Sequence, residues 1–285
     1  IDDGGAALNY SRVAKLLQGS AGEVQGVVLE QGSELLEIRA KVVVNATGAW
    51  ADVLRQQVQN EKRVRPLRGS HLVVDQKDLP VADALALTHP QDNRSTFIFP
   101  WENRTVIGTT DLDHTIDLDI EANISAQEVN YLLELSNSVF PDNQLSVDQI
   151  ISTWAGVRPV IASASGIDPS KEKRNHAVWK DGQLITVSGG KLTTFRLIAK
   201  DVLSNIDVDS LLANHKPKDK PKNDRVFAAL TLTAADLQPC SPVVAQILLS
   251  RYGDTAKAVV NLAGDQQSEL TLIEDSRWCL AECRW

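Results

Sequence analysis

The stretch VSGGKLTTFRLIAKD, residues 187–201, carries residue types that could hold an anionic ligand. Gly189 and Gly190 allow positive φ angles and let another molecule approach the backbone closely. The apolar residues that follow recur at helical spacing, so a strand is predicted to pass through this turn into a helix. The first amides of a helix lack intrahelical acceptors and carry partial positive charge, which favours a bound anion. An ordinary strand–turn–helix connection is the alternative for the same pattern.

A second connection of this kind occurs in KVVVNATGAWADVLRQQ, residues 41–57. Val42–Val44 is a β-branched run, which is typical of a strand buried on both faces. Asn45–Gly48 is predicted to be a tight turn of small residues, and Ala49–Gln57 is predicted to be a helix. The dinucleotide-binding pattern G-x-G-x-x-G does not occur here. A turn that serves only to pack strand against helix is the alternative.

Composition limits the classes of protein to which the chain can belong. Its 285 residues carry a formal net charge of -8, which argues against a nucleic-acid partner, because such binding needs a basic surface. No apolar run reaches the about 18 residues of a transmembrane helix. The three cysteines are too few for a disulfide framework and favour a reducing, cytoplasmic compartment, and we expect no metal site. The sequence starts at Ile1 and contains no Met, so we expect it to be part of a longer protein.

Between the two glycine-containing turns the pattern changes to short strands. HLVVD, STFIFPW, RTVIGTTD and IISTWAGVRPV predict a mostly antiparallel sheet within residues 65–158. One helix interrupts them, with Ser125 as its N-cap and Glu128 at the capping-box position. A hairpin around Asp181-Gly182 is then predicted to return the chain to the first sheet.

The last part of the chain is predicted to be a separate helical unit. HKPKDKPKND, residues 215–224, lacks an apolar period and is predicted to be a solvated linker. Three helices are predicted after it, over Ser241–Tyr252, Asp254–Leu262 and Asp275–Trp285. Length and composition therefore indicate two structural units.

Five stretches, taken in order, resemble the FAD-dependent (aerobic type) glycerol-3-phosphate dehydrogenases. The matching stretches are VVNATGAWAD (43–52), RPLRGSHLVVD (65–75), IFPWENRTVIGTTD (98–111), STWAGVRPV (152–160) and VSGGKLTTFRLIAKD (187–201). The family's N-terminal G-x-G-x-x-G turn, which holds the FAD pyrophosphate, is missing from this sequence. We therefore expect the chain by itself to purify without FAD.

The resemblance implies an α/β fold of the FAD/NAD(P)-binding, amino-acid-oxidase-like type. An antiparallel substrate-domain sheet and a helical C-terminal unit accompany this fold. The implied organisation is an incomplete FAD-binding part over 1–64, a substrate-binding sheet over 65–182, a return to the FAD-binding part over 183–214, a linker over 215–224 and a helical C-terminal domain over 225–285.

The resemblance also assigns both glycine-containing turns to FAD. Reduction of the flavin places negative charge near N1 and O2 of its ring, and a helix N-terminus aimed there stabilises that charge. Thr194 is expected to cap the helix that follows Gly190. The residues implied to bind the cofactor are Ala46, Thr47, Gly48, Gly189, Gly190, Lys191, Leu192, Thr193 and Thr194.

Three further residues match family positions that act on the substrate. Arg158 and Arg174 match arginines that contact a phosphate, since a guanidinium can bind two phosphate oxygens at once. His71, in the G-S-H motif, matches an active-site histidine that would take the C2 hydroxyl proton while C2–H leaves as hydride. The alternatives are a salt bridge for Arg158, a solvated charge run for Arg174 and a structural hydrogen bond for His71.

The implied reaction is oxidation of sn-glycerol 3-phosphate to dihydroxyacetone phosphate, with hydride transfer to FAD. Electrons would pass to a membrane quinone, which implies a cytoplasmic protein in peripheral contact with the inner membrane, and a homodimer is a further expectation. One alternative is another FAD-dependent oxidase of the superfamily, acting on an amine or a hydroxy acid. The other is an FAD-free, inactive fragment.

Overall fold

The structure is a computed structural model that describes residues 5–162, 175–207, 229–274 and 276–285. The chain divides into two compact units, Ile1–Lys216 and Pro217–Trp285, each of which has its own apolar core. None of the helices in the described ranges is long and apolar enough to cross a membrane.

Two three-stranded sheets belong to the first unit. The first sheet is antiparallel and is built from β1 (Arg12–Gln18), β2 (Val24–Gln31) and β3 (Glu34–Arg39). The second sheet contains β4 (Val43–Asn45), β11 (His176–Asp181) and β12 (Leu184–Gly189).

The predicted return of the chain is confirmed in the second sheet. β12 pairs in parallel with β4, so that Leu184 lies opposite Val43 and Thr186 lies opposite Asn45. Residues of β12 are almost fully buried, as expected for a parallel strand covered on both faces. Two helices follow these parallel strands, α1 (Ala51–Arg55) after β4 and α3 (Phe195–Ser204) after β12. Both glycine-containing turns therefore precede a helix, as the sequence predicts.

The antiparallel sheet predicted within residues 65–158 is confirmed, and it has six strands. Its path runs β10-β5-β8-β7-β6, and β9 pairs with β5. The strands are β5 (Val64–Asp75), β6 (Leu85–Thr88), β7 (Ser95–Trp101), β8 (Arg104–Gly108), β9 (Leu112–Asp113) and β10 (Ile150–Ile161).

Helix α2 (Ala126–Val139) covers one face of this large sheet. Its capping box is confirmed, since Ser125 accepts the Glu128 amide and the Glu128 carboxylate accepts the Ser125 amide. Leu132 and Leu133 of the helix pack in one cluster with Leu72 and Ile107 of the strands. Because side chains alternate across a strand, His71 lies on the opposite face of the sheet from Leu72.

The second unit contains two of the three predicted helices, α4 (Pro242–Tyr252) and α5 (Ala256–Leu262). The prediction of a third helix over Asp275–Trp285 is wrong. Leu272 and Cys279 instead form an isolated antiparallel bridge, and a 3-10 helix occupies only Leu280–Arg284. The side chain of Glu282 accepts the Cys279 amide at 2.8 Å, so helical structure starts only after Cys279.

Candidate functional site

His71 lies in the middle of β5, within the large sheet. Its cross-strand neighbours are Gly108 on β8 and Trp154 on β10. The imidazole stacks on the Trp154 indole, with ring centroids 3.6 Å apart and planes 7° apart. A Cβ at position 108 would overlap the imidazole, so only glycine leaves room for this ring orientation. The pairing of strands therefore holds His71 between the Trp154 ring and the backbone of Gly108.

The environment of His71 favours the neutral imidazole. Burial and, to a lesser degree, repulsion by Arg158 lower its pKa from 6.5 to about 4. Nδ1 is buried, and no atom of the described residues hydrogen-bonds it. Nε2, unlike Nδ1, is not among the buried atoms of the described residues that lack a partner, and it is therefore the nitrogen that we assign to proton transfer. His71 is therefore a neutral proton acceptor near pH 7.

Arg158 projects from β10 on the same face of the sheet as His71. Its cross-strand neighbour is Leu67, which lies four residues before His71 on β5 and thus on the same face. Between them lies Gly69, where a Cβ would overlap the Arg158 guanidinium. The guanidinium therefore rests over Gly69 and points along the sheet towards His71.

Three consecutive residues hold the Arg158 guanidinium. Nη1 donates to Asp111 Oδ1 at 2.9 Å and to the Thr110 carbonyl at 3.3 Å, and Nη2 donates to Thr109 Oγ1 at 2.7 Å. The other Asp111 oxygen, Oδ2, lies 3.8 Å from Nη2 of Arg94. Arg158 thus forms an ion pair with the buried Asp111 carboxylate, which differs from the surface salt bridge that was the alternative for it, and its own side chain is 26% exposed.

Asp111 is a site residue that the sequence analysis did not single out. It is the last residue of the stretch IFPWENRTVIGTTD, which was used only for the resemblance. The available signal was a charged residue three positions after the end of a buried strand, because a buried carboxylate needs a cationic partner. Its partner lies 47 residues away along the chain, which local spacing does not reveal.

A buried carboxylate, Glu128, supports the same segment from the helix side. It accepts hydrogen bonds from Ser70 Oγ at 2.8 Å and Thr110 Oγ1 at 2.7 Å, and it pairs with Arg68 at 2.7 Å. Burial acts to raise the pKa of Glu128, but hydrogen bonds from Thr110, Ser125 and Ser70 lower it below its usual value. Glu128 is thus an ionised anchor for Thr110, whose carbonyl accepts a hydrogen bond from Arg158.

The two glycine-containing turns lie at one edge of the second sheet. β4 and β12 are parallel, so their carboxyl ends, followed by Gly48 and Gly190, meet at the same edge. Gly48, Gly189 and Gly190 all have positive φ, at 62°, 77° and 84°. Asn45 is buried, and its Nδ2 donates to the Ala51 carbonyl at 2.8 Å, which holds the first turn closed. The carboxyl edge of parallel strands is where open α/β sheets bind ligands.

The residues predicted to bind a cofactor lie at or directly beside this edge. Ala46 and Thr47 are exposed in the first turn, and Lys191, Leu192 and Thr193 are exposed in the second, Leu192 to 88%. Thr194 takes the N-cap position of α3 as expected, but its side chain makes no capping hydrogen bond. Its hydroxyl donates to the Lys191 carbonyl at 2.9 Å, because Leu192–Thr194 form a 3-10 turn before α3 begins.

Strand β10 connects the cofactor edge with the residues predicted to bind substrate. Pro159, which follows Arg158, comes within 3.9 Å of the place that a Cβ of Gly48 would take. Ile161 comes within 3.1 Å of the corresponding place at Gly189. The structure thus brings His71, Arg158 and the two turns into one region of the first unit.

Arg174, the other predicted phosphate ligand, lies outside the described residues. Within the described ranges, no group of three or more potential metal ligands lies together. Of the cysteines near the C-terminus, Cys279 is buried and Cys283 is exposed.

Comparison with known proteins agrees with this architecture. A family model described as FAD dependent oxidoreductase (DAO) matches residues 1–201. The aerobic glycerol-3-phosphate dehydrogenase of Staphylococcus haemolyticus (strain JCSC1435) is 31% identical over 284 residues, covering 92% of this chain and 50% of that protein. The alpha-glycerophosphate oxidase of Enterococcus casseliflavus is 31% identical over 264 residues, covering 72% of this chain and 43% of that protein. The chain spans half or less of the length of these relatives.

A solved structure supports the same fold. The glycerol-3-phosphate dehydrogenase from Bacillus halodurans complexed with FAD matches with a TM-score of 0.73 and 29% identity, covering 92% of this chain and 53% of that chain. The predicted fold class and the resemblance to glycerol-3-phosphate dehydrogenases are confirmed. Because the family model covers well over half of its residues, the chain belongs to the FAD dependent oxidoreductase family.

Proposed function

We propose that the protein containing this chain oxidises sn-glycerol 3-phosphate to dihydroxyacetone phosphate, with FAD as the hydride acceptor. The observation that carries the proposal is the neutral base His71 beside the guanidinium of Arg158, on one sheet face near the glycine edge. Such a pair can bind a phosphate ester and deprotonate an alcohol of the same molecule. The names of the relatives favour glycerol 3-phosphate as that ester.

The residues at the carboxyl edge fit FAD. Gly48 has positive φ, and among the described residues beyond its chain neighbours no atom lies nearer than 3.9 Å to the place that its Cβ would take, so a planar ring has room there. Gly48, Gly190 and the exposed amides of Lys191 to Thr193 would hold the cofactor. When bound, FAD would accept a hydride, which is one proton with two electrons, from the substrate carbon. The expectation that this chain by itself purifies without FAD stays a prediction.

Arg158 would bind the substrate phosphate. A guanidinium is always charged at neutral pH, and its planar fork can donate to two phosphate oxygens. Its hydrogen bonds to Thr109, Thr110 and Asp111 hold its plane in place before substrate arrives, which lowers the entropy lost on binding. Arg158 thereby orients the substrate relative to His71.

His71 would take the proton of the C2 hydroxyl at Nε2. The imidazole is neutral near pH 7 because its pKa lies near 4, so it is ready to accept a proton. A bound phosphate would offset the charge of Arg158 and remove one of the two causes of the low pKa. Substrate binding would therefore make His71 a stronger base in the complex than in the free protein.

We also propose a quinone as the acceptor that reoxidises the protein, with cytoplasmic location and peripheral membrane contact. Relatives named dehydrogenases support this choice, whereas those named oxidases support dioxygen. Turnover with a soluble quinone analogue under nitrogen, compared with oxygen consumption without quinone, separates the two. The homodimer stays a prediction, which sedimentation velocity would test.

The experiment that tests the substrate assignment uses Arg158→Ala in the flavin-loaded protein. A charge-assisted hydrogen bond contributes about 1.5–3 kcal/mol, so KM for glycerol 3-phosphate should rise roughly 10- to 100-fold. Arg158→Lys should recover only part of the loss, because an ammonium cannot bind two oxygens in a planar fork.

The control substrate is glycerol, which lacks the phosphate. Weak turnover of glycerol should be nearly equal in wild type and Arg158→Ala, since only phosphate binding is lost. Equal losses on both substrates would show that Arg158 maintains the fold and does not bind phosphate. A wild-type preference for an amine or a hydroxy acid over glycerol 3-phosphate would favour the other oxidases of the superfamily.

A further inference from the structure

Asp111 is buried beside Arg158, and the proposed reaction gives it no chemical step. We propose that Asp111 is a positioning residue that aims the Arg158 guanidinium at the substrate phosphate. This inference rests on the function proposed above and deepens it, because it names what determines affinity for the phosphate group.

The Asp111 carboxylate joins two guanidinium groups. Its side chain is only 3% exposed, with Oδ1 2.9 Å from Arg158 Nη1 and Oδ2 3.8 Å from Arg94 Nη2. Removal of one partner from a buried ion pair leaves an uncompensated charge, so both arginines are restrained by this one carboxylate. Arg94 is itself fixed, because its Nη2 donates to the Thr109 carbonyl at 3.0 Å.

The direction of Arg158 depends on these contacts because the residue beneath its guanidinium is glycine. Gly69 lies under the guanidinium and offers no side chain against which it could pack. An arginine side chain loses rotamer entropy when it is ordered. Asp111 orders Arg158 before substrate arrives, and the substrate then does not carry that cost.

A purely electrostatic role and an orienting role of Asp111 predict opposite changes in substrate affinity when Asp111 is substituted. If the carboxylate acted only through its charge, its removal would increase the positive potential and tighten binding of an anionic substrate. If it aims Arg158, its removal releases the guanidinium and weakens binding. The direction of the change in KM therefore distinguishes the two roles.

The test uses Asp111→Ala and Asp111→Asn in the flavin-loaded protein. We expect Asp111→Ala to raise KM for glycerol 3-phosphate about tenfold, and Asp111→Asn, which keeps one acceptor oxygen, to raise it less. Turnover of glycerol should stay within about twofold of wild type. The Kd of inorganic phosphate should rise by the same factor as KM, to within about twofold. If Asp111→Ala does not fold, the nearly isosteric Asp111→Asn decides, since an unchanged or lowered KM there overturns the proposal.

Asp113→Ala is the matched control. Asp113 lies two residues further along and pairs through both oxygens with Arg65, at 2.6 and 2.8 Å, instead of with Arg158. We expect Asp113→Ala to leave KM for glycerol 3-phosphate within about twofold of wild type. An equal rise in KM for Asp111→Ala and Asp113→Ala would show general loosening of this segment and would overturn the proposal.

A double-mutant cycle with Arg158→Ala adds the decisive comparison. If Asp111 acts through Arg158, Asp111→Ala should change KM by less than about twofold when Arg158 is already absent. An additional tenfold rise in that background would overturn the proposal. A wild-type protein that does not oxidise glycerol 3-phosphate would instead contradict the proposed function, so the two failures are distinguishable.

Discussion

At the scale of single residues, the chemistry of the site depends on how His71 is enclosed. Trp154 covers one face of the imidazole, and Gly108 allows the ring to lie close to the neighbouring strand. Burial and the nearby Arg158 charge both disfavour the imidazolium. A histidine that would be partly protonated in water is therefore held neutral in the folded chain.

His71→Ala should lower kcat by roughly 10²- to 10⁴-fold, the usual contribution of a general base. KM for glycerol 3-phosphate should change far less, because Arg158 still binds the phosphate. Steady-state kinetics of the flavin-loaded variant, with its FAD content measured by absorbance, checks this expectation. A fall in turnover of less than about threefold would make His71 a structural residue.

The low pKa of His71 also predicts a dependence of stability on pH. The folded pKa of about 4 lies below the unfolded value of 6.5, so the unfolded chain binds the proton first as the pH falls. The contribution of His71 to stability is complete above about pH 6.5 and is lost as the pH falls towards 4. Urea unfolding gives the free energy of unfolding at about pH 7 and at about pH 5. Between these two pH values it should fall by roughly 1–2 kcal/mol more in wild type than in His71→Gln. Parallel falls in the two proteins would contradict the assigned pKa.

At the scale of secondary structure, cross-strand glycines give the site its space. Gly69 on β5 and Gly156 on β10 are direct partners in the ladder. A Cβ at position 69 would overlap the Arg158 guanidinium, whereas one at position 156 would meet no atom of the described part of the chain within 4 Å. Two glycines in the same row of the sheet therefore have different consequences for Arg158.

Gly69→Ala should displace the Arg158 guanidinium and raise KM for glycerol 3-phosphate about tenfold. The variant should still fold, because the atoms that must move are the end of a flexible side chain. Gly156→Ala is the matched control and should leave KM within about twofold of wild type. Kinetics and thermal unfolding of both variants test this pair, and an equal effect of the two substitutions on KM would refute it.

At the scale of the whole molecule, the chain consists of two compact units, Ile1–Lys216 and Pro217–Trp285. The second unit buries its own cluster of apolar residues, which includes Leu248 of α4 and Val259 of α5. The predicted linker over 215–224 lies outside the described residues. We expect this stretch to be cleaved readily by proteases, because its composition is charged and proline-rich and because each unit has its own core.

Brief digestion with trypsin should cut first within residues 215–224 and leave two resistant fragments. Trypsin does not cleave before proline, so the bonds after Lys218 and Lys222 are the expected sites in this stretch. Mass spectrometry of the fragments would identify the bonds. First cleavage outside residues 215–224 would contradict the predicted organisation.

The sequence alone determined the features that depend on neighbouring residues. The β-branched run before Asn45, the glycine turns and the capping box at Ser125 are local, so residue types and spacing predicted them. Two predictions from local sequence differ from the structure because a different local hydrogen bond forms. Thr194 bonds a carbonyl instead of an amide, and Glu282 delays the last helical turn beyond Cys279.

The tertiary structure decided which of these residues meet. Spacing and resemblance selected His71 and Arg158, but only the pairing of β5 with β10 placed them on one face, because the register between distant strands is not encoded locally. The same pairing put Trp154 against His71 and buried Asp111 beside Arg158. Burial and the distance between charges determine the pKa of His71, and both exist only once the chain has folded.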